Sequence, residues 1–379
     1  MFRLETKYSV IMPQLSNLVG QLSLSLGYAK EGDRCCVRTL RIHSNRLRLN
    51  SRFFAGKSVD TAPQIIGMLF SLCGTAQSVA SVRACEQALG KPADAATEQQ
   101  RDLQVSIETL FEHLLRLSQD WPAALGNEPP AAHELQALFK LKREVLQVPN
   151  PAVMDDIQHW FETRLLGLPT QRWLDYCIRH DVKKLSIRGK VGNLMTRVCA
   201  NGWQELGNVT LHLLPDLETD WWLAKLASPT AEDFCAEPDV DGQACETSSL
   251  TRQWDNPALQ VWREYYGSGL LTRLIARVLD MLECWWELGR EIPPNFSTGL
   301  SLQQTARGLL VHRVVQANGL IQHYQIVAPT EWNFHPQGSL YQMLSGLQAP
   351  NEAELRRQAQ ALITALDPCV AYQLEIHHA

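Results

Sequence analysis

The chain has 379 residues, of which 45% are hydrophobic, and a formal net charge of −5. This much apolar sequence can bury a large core, which excludes an intrinsically disordered chain. Lys and Arg are scattered among acidic residues, so the composition argues against a nucleic-acid partner. A protein or a small ligand is the expected partner.

The N-terminal segment and the longest uncharged stretch bear on location. Arg3, Glu5 and Lys7 interrupt the first fifteen residues, so we expect no signal peptide and a cytoplasmic protein. Ala62–Val82 has no charged residue, but its many polar side chains make it a poor membrane span. We predict that it is a buried helix pair with a functional break.

The ten cysteines are expected to be reduced thiols, because a protein without an export signal stays in a reducing compartment. No two of them have the C-x-x-C spacing, which excludes the common zinc-knuckle motifs. A free cysteine is usually a small buried apolar residue, and this is the default interpretation for each of the ten.

The first predicted element is a β-hairpin over Gly20–Ser44, where two alternating runs flank the turn residues Lys30–Asp33. From Pro63 onward, apolar residues recur three and four positions apart, which predicts a helical bundle. The predicted helices are Gln64–Leu72, Ala76–Leu89, Thr97–Ser118, Ala131–Leu146 and Met154–Leu165.

Helical periodicity returns at Trp221–Ala227 and through Leu259–Leu288. The segment between them, Ser228–Ser249, is acidic and poor in large apolar residues, and it includes Cys235 and Cys245. We predict that this segment is a surface loop.

The C-terminal part contains two further elements. Gly308–Val327 predicts a second β-hairpin, because Asn318-Gly319 is a strong two-residue turn signal. Glu352–Leu366 predicts a final helix, which ends before Pro368 because proline cannot continue a helix. Together the patterns predict an α+β fold, mainly α, in which a helical bundle carries peripheral β-hairpins. We treat 1–379 as one domain, with a hairpin region (1–60), the bundle (61–300) and a C-terminal region (301–379).

Two cysteines lie at unusual positions. Cys73 lies at a glycine-containing break between predicted helices, and Cys369 lies just past the last predicted helix. The sequence around Cys73 resembles the N-terminal metal motif of NiFe hydrogenase large subunits, R-x-C-G-x-C-x-x-x-H followed by an Arg-Ala-x-Glu-type helix. The matching positions are Cys73, Gly74, Arg83, Ala84 and Glu86. The departures are Ser71 for arginine, Ala76 for the second cysteine and Ala80 for histidine.

The sequence around Cys369 resembles the second metal motif of the same family, D-P-C-x-x-C-x-x-H. Tyr372 stands in place of the second cysteine and Glu375 in place of the histidine. Three further segments resemble the family in the same order along the chain, whereas Val19-Gly20 stands where its Glu-Gly motif would be. The three segments are Phe53–Lys57, Thr305–His312 and Tyr324–Pro336.

The resemblance implies a hydrogenase large-subunit-like fold without hydrogenase activity. In the family, the second cysteine of each pair bridges nickel and iron, and here Ala76 and Tyr372 replace those two residues. Two remaining thiolates are too few for the four-sulfur environment of nickel, so we expect no nickel and no catalysis.

The resemblance also places Arg307 and the Pro329-Thr330 pair near the cyanide and carbonyl ligands of iron. Guanidinium and hydroxyl donors suit the nitrogen of bound cyanide. Cys73 and Cys369 would then bind an Fe(CN)2(CO) unit. Structural interpretations remain open, with Arg307 in an ordinary salt bridge and Thr330 in a turn. A further family match, His312, is more typical of a hydrogen-bonded core histidine than of a ligand.

The pattern resembles accessory proteins of the HupK/HoxV type, which are thought to act as scaffolds for the iron cofactor. The expected partners are a HypC-like chaperone docking at Cys73, a HypD-type cofactor-assembly protein and the hydrogenase large-subunit precursor. The sequence ends at Ala379, so we expect none of the C-terminal extension that hydrogenase precursors carry. A metal-free chaperone, a divergent hydrogenase and a protein that binds another ligand remain alternatives.

Overall fold

The computed structural model describes residues 20–45, 51–70, 72–126, 132–147, 151–186, 188–288 and 298–379. The predictions for the first fifteen residues, for Val19 and for Ser71 lie outside these ranges. Within the ranges, the prediction of an α+β fold that is mainly helical is confirmed. None of the helices described there has both the length and the apolar composition needed to cross a membrane.

The predicted N-terminal hairpin is confirmed, and its two strands form the centre of a four-stranded sheet. One face of its first strand is fully buried, because Leu22, Leu24 and Leu26 alternate with polar residues and pack into the main core. The last strand runs parallel to the first, so the C-terminal segment is fixed against the N-terminal hairpin. The strands of this sheet are β1 (Gln21–Glu31), β2 (Arg34–Ser44), β6 (Gln348–Ala349) and β7 (Ala371–His378), in the order β6-β2-β1-β7.

The second predicted hairpin is also confirmed, and it belongs to an antiparallel sheet of three strands that pair in chain order. Asn318 and Gly319 both have positive φ angles, as a tight two-residue turn requires. The strands are β3 (Leu300–Thr305), β4 (Gly308–Ala317) and β5 (Leu320–Val327).

The helices predicted between residues 64 and 165 are confirmed to within a few residues, and two of them end in a π-helical turn, at Arg116–Asp120 and Phe161–Leu165. The predicted last helix has the bounds found in the structure. The helices are α1 (Ser51–Phe54), α2 (Ala62–Leu69), α3 (Gly74–Ala88), α4 (Ala95–Leu115), α5 (Trp121–Ala124), α6 (Ala132–Gln147), α7 (Pro151–Trp160), α8 (Thr170–Ile178), α9 (Val182–Leu185), α10 (Gly189–Ala200), α11 (Thr219–Ala227), α12 (Ala231–Ala236), α13 (Ser249–Arg252), α14 (Pro257–Tyr266), α15 (Leu270–Trp286), α16 (Pro329–Asn333), α17 (Ser339–Ser345) and α18 (Glu352–Leu366).

Helix α15 lies at the centre of the molecule. Every residue from Leu270 to Leu282 is buried, and the helix packs against α4, α14 and α18. The main core includes residues from all three predicted regions of the chain, from Leu22 to Val370. Cys369 packs against this main core, whereas Cys73 packs against a second, smaller cluster that includes Ile66, Phe70 and Tyr324.

Two predictions about burial were wrong. Ser228–Ser249 is not simply a surface loop, because it contains α12 and its end is buried, with Glu246 fully enclosed beside Arg273. A carboxylate can be buried when an arginine compensates for its loss of hydration. The composition of the segment does not reveal such a partner elsewhere in the chain. The helix pair in Ala62–Val82 exists, but its first helix is only partly buried, since Met68 is 72% exposed.

Candidate functional site

Cys73 occupies the N-cap position of α3, at the break that separates this helix from α2. The amides of Thr75 and Ala76 donate hydrogen bonds of 2.8 and 2.9 Å to the two carboxylate oxygens of Glu108. Such a carboxylate satisfies the otherwise unpaired first amides and complements the positive end of the helix. Glu108, which the sequence analysis did not identify, therefore fixes the segment that carries Cys73.

Cys369 follows α18, which ends at Asp367 in the left-handed conformation with φ of 58°. The Thr330 hydroxyl donates to Cys369 Sγ across 3.0 Å, and the Cys369 amide lies 3.4 Å from the same hydroxyl oxygen, which accepts. Thr330 is held there because Pro329 begins α16 directly after β5. The structure thus brings Thr330 and Cys369, which were predicted as site residues from separate motifs, into direct contact.

Arg307 lies in the turn between β3 and β4, and its guanidinium is buried. Nη2 donates to Glu112 Oε2 across 2.8 Å and lies 3.4 Å from Asp367 Oδ1. Burial lowers the pKa of Arg307, but the charges of Asp367, Glu112 and the Cys73 and Cys369 sulfurs raise it above its ordinary value. Arg307 therefore links α4 to the residue two positions before Cys369.

The Nε atom of Arg307 is buried and has no hydrogen-bond partner among the residues that the structure describes. A buried donor of this kind is costly to leave unsatisfied. The arginine predicted to approach the ligands of iron thus has one donor that a bound group could satisfy. Its other contacts agree with the salt-bridge interpretation, so both interpretations of Arg307 apply to the same side chain.

Asp367 is surrounded by three arginines. Arg116 Nε lies 2.9 Å from Oδ1, Arg277 Nη1 donates to Oδ2 across 3.2 Å, and Arg307 completes the set. Burial alone would raise the pKa of Asp367. The three guanidinium groups lower the pKa by more than burial raises it, so it lies below its ordinary range. The residue two positions before Cys369 is therefore a buried carboxylate anchored from three sides.

A second buried group continues this network through α15. Arg277 Nη1 lies 3.3 Å from His113 Nδ1, and His113 Nε2 lies 2.8 Å from Asp280 Oδ2. Burial lowers the pKa of His113, which favours the neutral ring. Because Arg277 can only donate, Nδ1 accepts and Nε2 carries the proton given to Asp280. The sequence signal that could have indicated this network was the set of charged residues inside the apolar helix α15.

His312 is a satisfied core histidine. Its Nδ1 lies 2.9 Å from the Tyr324 hydroxyl and its Nε2 lies 2.9 Å from Gln77 Oε1. Both ring nitrogens are occupied and the side chain is fully buried, so the ring is not available to a metal. The structural interpretation of this residue is the one that the geometry supports.

The positions that depart from the family motifs have ordinary surroundings. Ala76 and Ala80 are buried on α3, while Tyr372 and Glu375 lie on β7, where Tyr372 is 36% exposed. A cleft of about 480 Å³ opens between Leu72, Arg116, Asp367 and Tyr372. Among the described residues, no group of three or more His, Cys, Asp or Glu side chains is arranged to hold a metal ion.

The fold matches that of hydrogenase large subunits. The Ni-Fe-Se hydrogenase from D. vulgaris Hildenborough superposes with a TM-score of 0.59 at 15% identity, over 92% of this chain and 98% of that chain. An NAD+-reducing NiFe hydrogenase superposes with a TM-score of 0.55 at 16% identity, over 88% and 92% of the two chains. Residues 261–374 also match the family model described as nickel-dependent hydrogenase.

Curated relatives define the family more narrowly. The chain is 30% identical to the hydrogenase expression/formation protein HoxV of Cupriavidus necator, over 88% of this chain and 92% of that protein. It is 31% identical to the hydrogenase expression/formation protein HupK of Azotobacter vinelandii, over 87% and 91% of the two chains. The chain belongs to the family of HoxV/HupK hydrogenase expression/formation proteins.

Proposed function

We propose that this protein is a non-catalytic accessory scaffold in NiFe hydrogenase maturation, which carries Fe(CN)2(CO) or transfers it to the apo large subunit. The relatives named as hydrogenase expression/formation proteins support a role in maturation. The observation that carries the finer proposal is the position of one buried guanidinium between the two cysteine segments. Thr330 donates to Cys369, and Arg307 lies 3.4 Å from Asp367 in the same segment. Arg307 also donates to Glu112 on α4, the helix whose Glu108 binds the amides that follow Cys73.

The residues of this group fit the chemistry of the iron unit as cargo. Thiolates of Cys73 and Cys369 are soft ligands of the kind that iron accepts. Arg307 Nε is a buried donor without a partner in the described part of the chain, and cyanide nitrogen is an acceptor. Thr330, placed by Pro329, adds a hydroxyl beside Cys369.

The same group argues against hydrogen activation. Ala76 and Tyr372 occupy the positions of the bridging cysteines, and neither side chain supplies a thiolate. Two thiols cannot reproduce a four-sulfur nickel environment, so the proposal includes neither nickel nor hydrogenase activity.

The partners proposed are a HypC-like chaperone, a HypD-type cofactor-assembly protein and the hydrogenase large-subunit precursor, and the proposed location is the cytoplasm. Cys73 is the proposed docking point for the HypC-like chaperone. Two exposed apolar residues precede Cys73 in the chain, Met68 on α2 and Leu72 directly before the cysteine, and exposed apolar side chains of this kind are typical of a protein contact.

A metal-free chaperone is the second candidate. The described residues do not group three or more potential ligands, and the ion pairs around Asp367 are satisfied by the protein itself. A chaperone that presents only a hydrogenase-like surface would need these internal ion pairs to hold its fold, but it would need no metal ligands.

The proposal is tested by iron analysis of the protein purified without oxygen from cells that express the maturation proteins. We expect bound iron in the native protein, loss of iron in Cys73→Ser and Cys369→Ser, and retention in Cys199→Ser, which removes a thiol from α10. No iron in any sample would favour the metal-free chaperone. Hydrogen-dependent dye reduction by the native protein would establish a divergent hydrogenase instead.

A further inference from the structure

The basic residues of this chain are not evenly distributed. Residues 164–197 contain eight Lys or Arg and two acidic residues, a net charge of +6, whereas the whole chain carries −5. The rest of the chain therefore carries −11. The scattering of cations inferred from overall composition is wrong for this segment.

Several cations of this segment are exposed on neighbouring elements. Helix α9 contacts both α8 and α10. The exposed cations include Arg172 on α8, Lys183 on α9 and Arg188 directly before α10. Gly167 and Gly189 both have positive φ, and their backbones lie in close contact. This contact brings Arg188 next to the end of the π-helical turn Phe161–Leu165, which contains Arg164. We call the exposed surface of residues 164–197 the basic face.

Apolar groups are exposed beside these charges. Ile178, at the end of α8, is 50% exposed, and Tyr265 on α14 is 59% exposed. The Tyr265 ring stacks on His180 with centroids 3.9 Å apart, which joins α14 to the basic face. Arginine and tyrosine around an exposed aliphatic residue are the residue types enriched where proteins bind each other.

We propose that the basic face binds an acidic surface of a partner protein. The inference does not depend on the iron cargo, because it uses none of the residues near Cys73 or Cys369. Charge complementarity identifies the partner chemistry, since a carboxylate-rich surface is attracted to the excess of cations on the basic face and its encounter is accelerated. The excess remains although Lys190 is paired with Glu134 at 2.7 Å.

A nucleic acid is the less suitable partner. Asp175 and Asp181 lie among the cations, and Asp181 pairs with Lys184 at 3.0 Å, so the face lacks the uninterrupted row of Lys and Arg that would follow a phosphate backbone. A long polyanion would also meet the acidic remainder of the chain, whereas a compact acidic patch need not.

The test measures binding of poly-L-glutamate to the full-length protein at low ionic strength, with duplex DNA and phosphatidylserine vesicles as parallel probes. The variant K183E/K184E/R188E reverses three charges of the basic face. The control R34E/R38E/R41E makes the same change in net charge on exposed positions of β2. Circular dichroism establishes that both variants are folded.

We expect the native protein and the control to bind poly-L-glutamate alike, and the basic-face variant to bind about tenfold more weakly or worse. Binding of poly-L-glutamate that is absent, or equal in all three proteins, would overturn the proposal. Tighter binding of DNA or of vesicles that depends on the same three residues would also overturn it, because the surface would then recognise phosphates.

Discussion

Thr330 and Cys369 are joined by two hydrogen bonds at the candidate site. The threonine hydroxyl donates to the sulfur and accepts from the amide of the same residue, so it fixes the thiol relative to its own backbone. Under the proposed function, this contact determines where one of the two iron-binding sulfurs points.

Replacing the hydroxyl of Thr330 tests this role. Thr330→Val keeps the shape of the side chain but removes the donor and the acceptor, and we expect it to retain less iron than the native protein. Thr330→Ser keeps the hydroxyl and should retain iron at the native level. Iron content per chain after anaerobic purification is the measurement, and equal iron in both variants would contradict the role given to the hydroxyl.

Glu108 is predicted to stabilise the segment around Cys73. Glu108→Ala leaves the amides of Thr75 and Ala76 without their acceptor, and we expect a loss of about 1–3 kcal/mol in the free energy of unfolding. Urea denaturation measures the change. As a control, Glu144→Ala removes a carboxylate whose pairing with Lys140 is solvent-exposed, which should cost about 0.5 kcal/mol or less. Similar losses in both variants would contradict the capping role.

Helix α15 illustrates at the scale of elements how buried charge is accommodated. Arg273, Arg277 and Asp280 lie on it in almost complete burial, and each finds a partner on another element. Such pairs add little net stability compared with apolar packing, but the loss of one member leaves an unpaired buried charge.

The pair of Glu246 and Arg273 predicts a defined pH dependence. Burial raises the pKa of Glu246, but Arg273 and the hydroxyls of Ser248 and Ser339 lower it more, so the folded pKa lies below the ordinary value. The contribution of the Glu246 carboxylate to the free energy of unfolding is therefore complete above the pKa of glutamate in the unfolded chain, about 4.3. This contribution is lost as the pH falls through the lower pKa that Glu246 has in the folded protein.

We expect Glu246→Gln to lower the free energy of unfolding at neutral pH by about 3–5 kcal/mol, because Arg273 loses its counter-charge. The difference between the two proteins should shrink as the pH falls below about 4.3. Urea unfolding at a series of pH values measures it. A difference that is constant with pH would show that the carboxylate charge is not what stabilises the fold.

The elements that could be predicted are those encoded by local patterns. Both hairpins have alternating strands and glycine-containing turns, and the last helix has a proline two residues after its end. Strand β7 was missed because its partner β1 lies more than three hundred residues away, and a parallel pairing of this kind has no local sequence signal. The buried end of the segment 228–249 was missed for the same reason, since Glu246 is paired by a residue on another element.

The site was predictable in part. The family resemblance indicated Cys73, Cys369, Arg307 and Thr330, and the structure places them within one region of hydrogen bonds and charge interactions. Their predicted role toward iron remains a proposal. Glu108, Glu112 and His113 were not indicated, because they lie on α4 with ordinary helical spacing and acquire their roles only through packing.

At the scale of the whole molecule, the chain combines a hydrogenase large-subunit fold with two altered metal motifs. The altered positions leave the core intact, because Ala76 is simply buried and Tyr372 extends a strand at the surface. The same fold also displays a basic face on an otherwise acidic molecule. Under the proposed function, such a protein binds partners and cargo without catalysing the reaction of its structural relatives.

Infrared spectroscopy tests the central proposal most directly, because bound cyanide and carbon monoxide give stretching bands that the protein itself lacks. The protein is purified without oxygen from cells that express the maturation proteins, alongside Cys73→Ser and the control Cys199→Ser. We predict both kinds of band in the native protein and the control, and neither in Cys73→Ser. Absence of the bands from the native protein, or their persistence in Cys73→Ser, would contradict the assignment of Cys73 and Cys369 as the residues that hold Fe(CN)2(CO).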